Sequence, residues 1–578
     1  MKNIKCLLVV IFYYLNVSPS NAKPELISLI PEDSFLLLEI DDLTEFSDQI
    51  EEGPLGEFVR SDGWDKISQW MIGEFKDDFS SDKANHEFII DILSEWMDSF
   101  NGQMIFSISG LEHVLDKKVP HSTLLLETEL KEKDLAESLK TLKKEILSSG
   151  GKISLERDEI SGVVVHWIDS ETNTEKDNRI ALSIFDQTFG IFSGGRDYVK
   201  ETLLRLEKDS KSNSIAKNDN YLDVFDEIGR GKARLFLNFD FLEDFLEEIK
   251  VLPNVQIPEN PFGIKTPALL DAFGLNSLEC IGMHMDPSGK EFKISSAAFL
   301  SKYDGLFSFL QFSETSEAIP YDFIPPQSFS ATCGRYDFGK LWQRVVKIVG
   351  ELSPQLLLLM NSQIQAFEDQ AGVAFRRDVL GSFGDEVATF GLLEKELKDL
   401  DDLDTVNPTF YAISLKDSQL FDRSLRTMID AFSAGNDLFE ERVHKGVTIR
   451  KIRGLEQVGL SISYAVTDKW FILGMGDDIH FTQMINQLNG NKKSLWKNDG
   501  VRKALKDMPN GVRQIDYVNL NKMVSFFKPL IMNAMGDEEE VKLKSNDFAD
   551  LPYFIFAWSK NVKRGMIGRA ELFPISKK

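Results

Sequence analysis

The chain repeats itself. Ser138-Leu-Lys-Thr-Leu142 recurs as Ser424-Leu-Arg-Thr-Met428, and Ser214-Ile-Ala-Lys-Asn-Asp219 as Ser494-Leu-Trp-Lys-Asn-Asp499. Gly162-Val-Val-Val165 is echoed by Gly446-Val-Thr-Ile449, and Ile30-Pro31 with Ser34-Phe35 by Ile324-Pro325 with Ser328-Phe329. The echoes keep one order along the chain. A unit of about half the length is therefore expected twice, and such repetition constrains architecture before any residue is given a role.

Helical periodicity runs beneath the shared letters. Leu135, Leu139, Leu142 and Ile146 form one stripe, and Phe421, Leu425, Met428 and Phe432 form another at the same spacing. Within the first unit, strands are expected at Phe35–Ile40, Gln103–Ser109, Ser122–Glu129, Val163–Ile168, Ile180–Phe185 and Thr188–Phe192. Three more follow near Arg234–Phe239, Leu278–Met285 and Phe292–Phe299, with helices near Asp134–Leu147, Arg196–Leu206 and Asn220–Ile228. Asp286-Pro-Ser-Gly289 is expected as the hairpin turn between the last two strands. The expected class is α+β: a tandem duplication of a mixed, mainly antiparallel sheet-and-helix unit, giving two similar halves. The boundaries are a leader over 1–22, repeat unit one over 26–300, a linker over 301–323, repeat unit two over 324–573 and a tail over 574–578.

The leader reads as a cleavable signal peptide. Lys2 and Lys5 make a positive start, Cys6 to Leu15 is apolar, and Ser20 and Ala22 place small residues for cleavage before Lys23. No later apolar run approaches membrane-spanning length; Leu356-Leu-Leu-Leu-Met360 is bounded by Pro354 and Asn361. No transmembrane segment is expected after cleavage, and a periplasmic or extracellular location follows. The formal net charge is −26, and cleavage removes two further lysines. An acidic surface of this kind repels phosphate backbones, so nucleic acid is not an expected partner. With 42% hydrophobic residues and 43 phenylalanines, the chain has ample core and is not globally disordered.

Cleavage also removes Cys6 and leaves Cys280 and Cys333. Two thiols are no disulfide framework; each lies in an apolar run where cysteine packs as a small hydrophobe, and a single Cys280–Cys333 bridge is the one pairing open to them. Past the leader there is no Asn-x-Ser/Thr sequon, Asn407-Pro-Thr409 being blocked by its proline, which favours bacterial export.

A smaller motif occurs four times. Asp42-Leu43, Asp240-Phe241, Asp337-Phe338 and Asn519-Leu520 each follow an apolar strand and open an amphipathic stretch. An Asp or Asn oxygen there accepts from first-turn amides as an N-cap. Because Asn519 keeps the cap without the charge, structural caps are expected at Asp42, Asp240, Asp337 and Asn519 rather than a ring of catalytic carboxylates. Pro31-Glu-Asp-Ser-Phe35 leading into an apolar strand and an Asp-Leu helix start, together with the Ser99-Phe-Asn-Gly102 and Ser382-Phe-Gly-Asp385 turns, resembles a group of exported bacterial envelope-associated proteins of unknown function. The resemblance implies no particular activity.

Chemistry-bearing motifs are sparse. None of His86, His113, His121, His166, His284, His444 and His480 belongs to a His-Glu-x-x-His pair, and no Gly-x-Ser-x-Gly elbow occurs. Ser193-Gly-Gly-Arg196 is a strand-to-helix turn that could cradle an anion, but it lacks the Gly-Lys-Ser/Thr of a phosphate loop. The acidic runs Asp399–Asp404 and Asp537–Glu540 lack the calcium-loop glycine and terminal glutamate. No catalytic residue, cofactor or metal site is expected. The leading expectation is an exported, soluble, non-catalytic binding or scaffolding protein of the bacterial envelope, acting on an unknown protein or envelope partner. The alternatives are a hydrolase of an envelope or extracellular polymer, and a carrier of an apolar ligand.

Overall fold

The computed structural model describes residues 26–66, 96, 99–110, 120–148, 154–169, 179–206, 213–240, 262, 264, 266–312, 317–393, 407–433, 438–455, 460–476, 478–488, 490, 493–535 and 547–575. The leader with Cys6, the acidic runs 399–404 and 537–540, and His86 and His113 lie outside the described residues. Two compact units are present. One comprises Met1–Glu248, Leu278–Phe299 and Asn546–Ala549; the other comprises Ile249–Ser277, Leu300–Ser545 and Asp550–Lys578.

The first unit holds β1 (Leu36–Ile40), β2 (Phe100–Ser109), β3 (His121–Thr128), β4 (Ser154–Ile160), β5 (Val163–Asp169), β6 (Ile180–Phe185), β7 (Thr188–Ser193), β8 (Ala233–Asn238), β9 (Leu278–Ser288) and β10 (Glu291–Leu300). They pair in the order β4-β5-β6-β7-β3-β2-β1-β8-β9-β10. β1 explains its own place. Leu-Leu-Leu-Glu-Ile has no polar alternation, and all five residues are buried between β2 and β8, as a central strand covered on both faces requires. β4 is the opposite case: Ser-Leu-Glu-Arg-Asp-Glu-Ile pairs only with β5 among the described strands, and charge blunts the open edge. Helices α1 (Leu43–Glu52), α2 (Glu132–Ser148), α3 (Arg196–Leu204) and α4 (Asp219–Ile228) belong to this unit.

The second unit holds β11 (Ser330–Arg335), β12 (Phe383–Gly391), β13 (Thr409–Leu415), β14 (Phe439–His444), β15 (Val447–Ile452), β16 (Ile462–Val466), β17 (Trp470–Met475), β18 (Gln514–Asn519), β19 (Tyr553–Val562) and β20 (Gly565–Pro574). Their order is β14-β15-β16-β17-β13-β12-β11-β18-β19-β20. The helices are α5 (Thr266–Phe273), α6 (Phe338–Leu352), α7 (Pro354–Ala371), α8 (Ser418–Ser433), α9 (Asp478–Leu488), α10 (Asp499–Lys506) and α11 (Leu520–Met535). One core packs α9 and α10 on the sheet through Phe481, Met484, Ile485, Val501 and Ala504 against Phe390, Phe410, Ile472, Ile515 and Phe556. Another, smaller core joins Phe421 of α8 to Leu415, Val379 and Ala371. No helix among the described residues is long and apolar enough to cross a membrane.

The expected fold class is corrected here. The twenty strands form one sheet, and every register resolved in it is antiparallel, so the architecture is a single large antiparallel sheet rather than two similar α+β halves on a mixed one. Short echoes fix local structure, not sheet closure. Ser214 caps a 3-10 turn at Ile215–Lys217 and Asn218 caps α4; Ser494 caps Leu495–Lys497 and Asn498 caps α10. Those caps are set within a few residues, whereas the pairing of strand edges is set by contacts that no local pattern encodes. The turn between β9 and β10 also moves. It falls on Gly289-Lys290, with Gly289 at φ +55°, and Asp286 and Pro287 remain in the strand.

Candidate functional site

A groove of about 410 Å3 opens in the second unit, lined by Pro320 to Phe323, Lys469, Trp470, Gln487, Leu488, Gly490 and Lys497. Its wall is built from short-range contacts. Ile324 N–H donates to the Tyr321 carbonyl at 3.2 Å, and Leu495 N–H donates to the Ile324 carbonyl at 3.0 Å, which ties the 320–324 loop to the capped turn carrying Lys497. Tyr321 and Phe323 stack at 5.7 Å between ring centroids, and both meet Trp470 edge-on at 5.1 Å. Aromatic pairs in these geometries contribute about 0.5–1.5 kcal/mol each beyond burial, which favours this arrangement of the wall. The C-terminal end of α9 also lines it, where Gly490 N–H returns to the Gln487 carbonyl at 3.2 Å.

Charge along the groove is paired. Lys469 Nζ lies 2.8 Å from Glu386 Oε2 and 5.1 Å from the centre of the Trp470 ring. Lys497 Nζ lies 2.9 Å from Asp322 Oδ2. Behind the wall, Arg335 reaches Glu386 at 3.4 Å and Asp385 at 3.1 Å. Burial raises the Tyr321 phenol well above its ordinary value, and the Glu386 charge adds to that. Tyr321 is 5% exposed. Its hydroxyl and Gln487 Oε1 are buried without a hydrogen-bond partner in the protein. Two ion pairs therefore lie along the groove, and neither of these buried atoms is exposed to it.

The residues singled out from sequence lie elsewhere. Asp42 Oδ1 accepts from Glu45 N–H at 2.8 Å, Asp337 Oδ1 from Lys340 N–H at 3.2 Å, and Asn519 Oδ1 from Lys522 N–H at 3.0 Å. Asp240 Oδ1 instead accepts from Asn220 Nδ2 at 3.1 Å, and the helix expected after it lies outside the described residues. Cys280 and Cys333 are buried thiols, so the bridge between them is not formed. Cys280 Sγ on β9 lies 3.9 Å from the Asn220 carbonyl of α4, and burial pushes the Cys333 thiol on β11 up to about 12. At the Ser193-Gly-Gly-Arg196 turn, Gly195 starts α3 with no side-chain cap, and Arg196 pairs with Asp158 at 2.7 Å.

The groove residues escaped notice because Tyr321, Asp322 and Phe323 fall in the stretch read as a linker. The segment is a turn, closed by the Ile324 N–H on the Tyr321 carbonyl, and no local pattern marks it as a groove wall. Lys469 and Lys497 carry no motif, and only the fold brings them together.

A second polar cluster lies in the first unit and is closed. Glu39, 3% exposed, accepts from Gln103 Nε2 at 2.9 Å, Tyr221 OH at 3.0 Å and Arg234 Nε at 3.0 Å. Arg234, 6% exposed, stands directly opposite it on β8 and also pairs with Asp41. Burial pulls the Arg234 guanidinium down, and the hydrogen bonds it donates to Glu39 and Asp41 more than offset it, so its proton is held more tightly than usual. With its carboxylate saturated, this cluster holds the sheet together.

No family model matches the chain, and no curated protein matches it. Three crystal forms of a protein designated TP0453 are similar to it in part. Form I has 8% identity and TM-score 0.21, covering 48% of this chain and 80% of that one. Form III has 12% and 0.23, covering 50% and 85%, and form IV has 10% and 0.21, covering 53% and 90%. A likeness this slight carries no argument about fold or function.

Proposed function

We propose that this chain is an exported, non-catalytic binding protein of the bacterial envelope, with the Tyr321–Trp470 groove as its binding site. The observation that carries the reading is the groove itself: concave, walled by three interlocked rings, and rimmed by side chains already fixed by ion pairs. Ligand sites commonly join an apolar wall to a few well-placed polar groups, and side chains held before binding lose little entropy when it occurs. The leader, with Lys2, Lys5, an apolar core and Ser20/Ala22, supports export. Fractionation of the native host with N-terminal sequencing tests the placement. A mature chain beginning at Lys23 in the envelope fraction agrees with it; an intact Met1 in the cytoplasm ends it.

A further inference from the structure

We propose that Asn510 is a site of self-modification, where the Glu317 carboxylate promotes closure of the asparagine to a succinimide and its conversion to aspartate and isoaspartate. The site lies in the second unit, in the turn between α10 and β18, and none of its residues lines the groove. Asn510 is exposed and precedes Gly511 in that turn. Gly511 has φ +82°, and the side where a Cβ would stand is open, so neither its own side chain nor a neighbour crowds that face of the peptide. The Gly511 N–H, whose nitrogen must attack the asparagine side chain, donates to Glu317 Oε1 at 2.5 Å. A general base must first reach the proton it removes, and this one does. Glu317 is placed there by its backbone: its carbonyl accepts from Arg335 Nε at 3.0 Å, and the next amide, Ala318 N–H, donates to the Val512 carbonyl at 2.8 Å. The other described Asn-Gly pair, Asn101-Gly102, lies within β2, where Glu127 takes the N–H of Gln103, one residue too far along.

The step needs only water. The Gly511 nitrogen bonds to Asn510 Cγ as its proton passes to Glu317. That proton then goes to the side-chain nitrogen, which leaves as ammonia when its bond to Cγ breaks. Water opens the resulting ring in either of two ways. Breaking the new bond to Cγ leaves aspartate, whereas breaking the bond to the Asn510 main-chain carbonyl carbon leaves isoaspartate. Water is consumed, ammonia is released, nothing is oxidised or reduced, and Glu317 is regenerated. Either product sets a new carboxylate beside Glu317. Isoaspartate also lengthens the main chain just before β18, where Val512 is fully buried and the Arg513 carbonyl accepts from Arg335 N–H at 3.0 Å.

The test is incubation of the mature chain at neutral pH, with the tryptic peptide Asp507–Arg513 followed by mass spectrometry for the change from amide to acid and for separate aspartate and isoaspartate peaks. Glu317→Gln keeps an acceptor for the Gly511 N–H but is no base, so it separates catalysis from a merely structural hydrogen bond. Both products should accumulate, and the folded wild-type chain should convert at least about tenfold faster than Glu317→Gln. It should also convert faster than the free peptide of residues 507–513, a comparison that decides the matter on the wild type alone even if the variant folds poorly. In denaturant, where the carboxylate is no longer placed, the two chains should convert alike. Identical digestion of both cancels any conversion during handling. A folded variant that keeps pace with the wild type, a folded wild type slower than the free peptide, or aspartate formed without isoaspartate would each overturn the proposal.

Discussion

Replacing Arg234 by methionine tests whether the Glu39 cluster is as dry as its geometry states. Glu39 and Arg234 are 3% and 6% exposed, and the arginine supplies two of the contacts to that carboxylate, from Nε at 3.0 Å and Nη2 at 2.8 Å. Methionine fills similar volume, so little cavity forms, but Glu39 is left without its cation and with only Gln103 and Tyr221 as donors. Breaking a buried pair from one side costs about 3–5 kcal/mol because the other charge stays buried and unpaired. Since a chain of this size need not unfold in one step, the readout is local: hydrogen exchange of β1 and β8 amides. A loss of about 3 kcal/mol speeds that exchange roughly a hundredfold or more. Adding Glu39→Gln to Arg234→Met removes the stranded charge and should restore much of the protection. A single variant that exchanges like wild type, or a double variant worse than the single, would refute the account of this cluster.

Three further outcomes follow from other sites. Burial raises the Asp516 carboxyl above its ordinary value, with hydrogen bonds from Thr332 and Gln514 offsetting only part of it. Its contribution to stability is therefore present at low pH and lost as pH rises through the folded-state value, and in Asp516→Asn melting curves that decline should be absent. Asp304 is the reverse case. Its partial burial pushes the carboxyl up, but Lys347 and Lys302 outweigh that and hold it near about 2 against an ordinary 3.8, so the stability it contributes above pH 3.8 should fade as pH drops toward 2, and Asp304→Asn should remove that acid-sensitive part. At the start of α6, Asp337→Asn should be nearly silent in thermal denaturation while Asp337→Ala costs about 1 kcal/mol, and equal losses would deny the cap.

Much of the local structure was legible, for reasons visible in particular residues. Ile180–Phe185 and Thr188–Ser193 are strands because apolar runs bounded by turn residues leave few alternatives, with Asp186 and Gln187 turning at φ +43° and +62°. The Gly162 and Gly446 echoes mark two-residue hairpin turns in which Ser161-Gly162 and Lys445-Gly446 all have positive φ. β4 was missed because Glu156 to Glu159 are all charged, which is how an edge strand protects itself and also how a loop reads. The sheet's extent was illegible for a deeper reason. Whether two strand edges meet depends on backbone groups that every sequence possesses, so echoes suggesting two halves could not reveal one sheet of twenty strands. The groove was hidden likewise, since Lys469 and Lys497 gain meaning only from Glu386 and Asp322, which are far away in the chain.

The central claim is that the groove holds a ligand in the native setting. Its most direct test is to recover the protein under native conditions from its host, denature it, and quantify released small molecules by mass spectrometry beside the Lys469→Met/Lys497→Met variant treated identically. The account predicts one small compound released by the wild-type chain in amounts that scale with protein and depleted from the variant. Equal release from both chains, or no compound enriched over a mock purification, would contradict it.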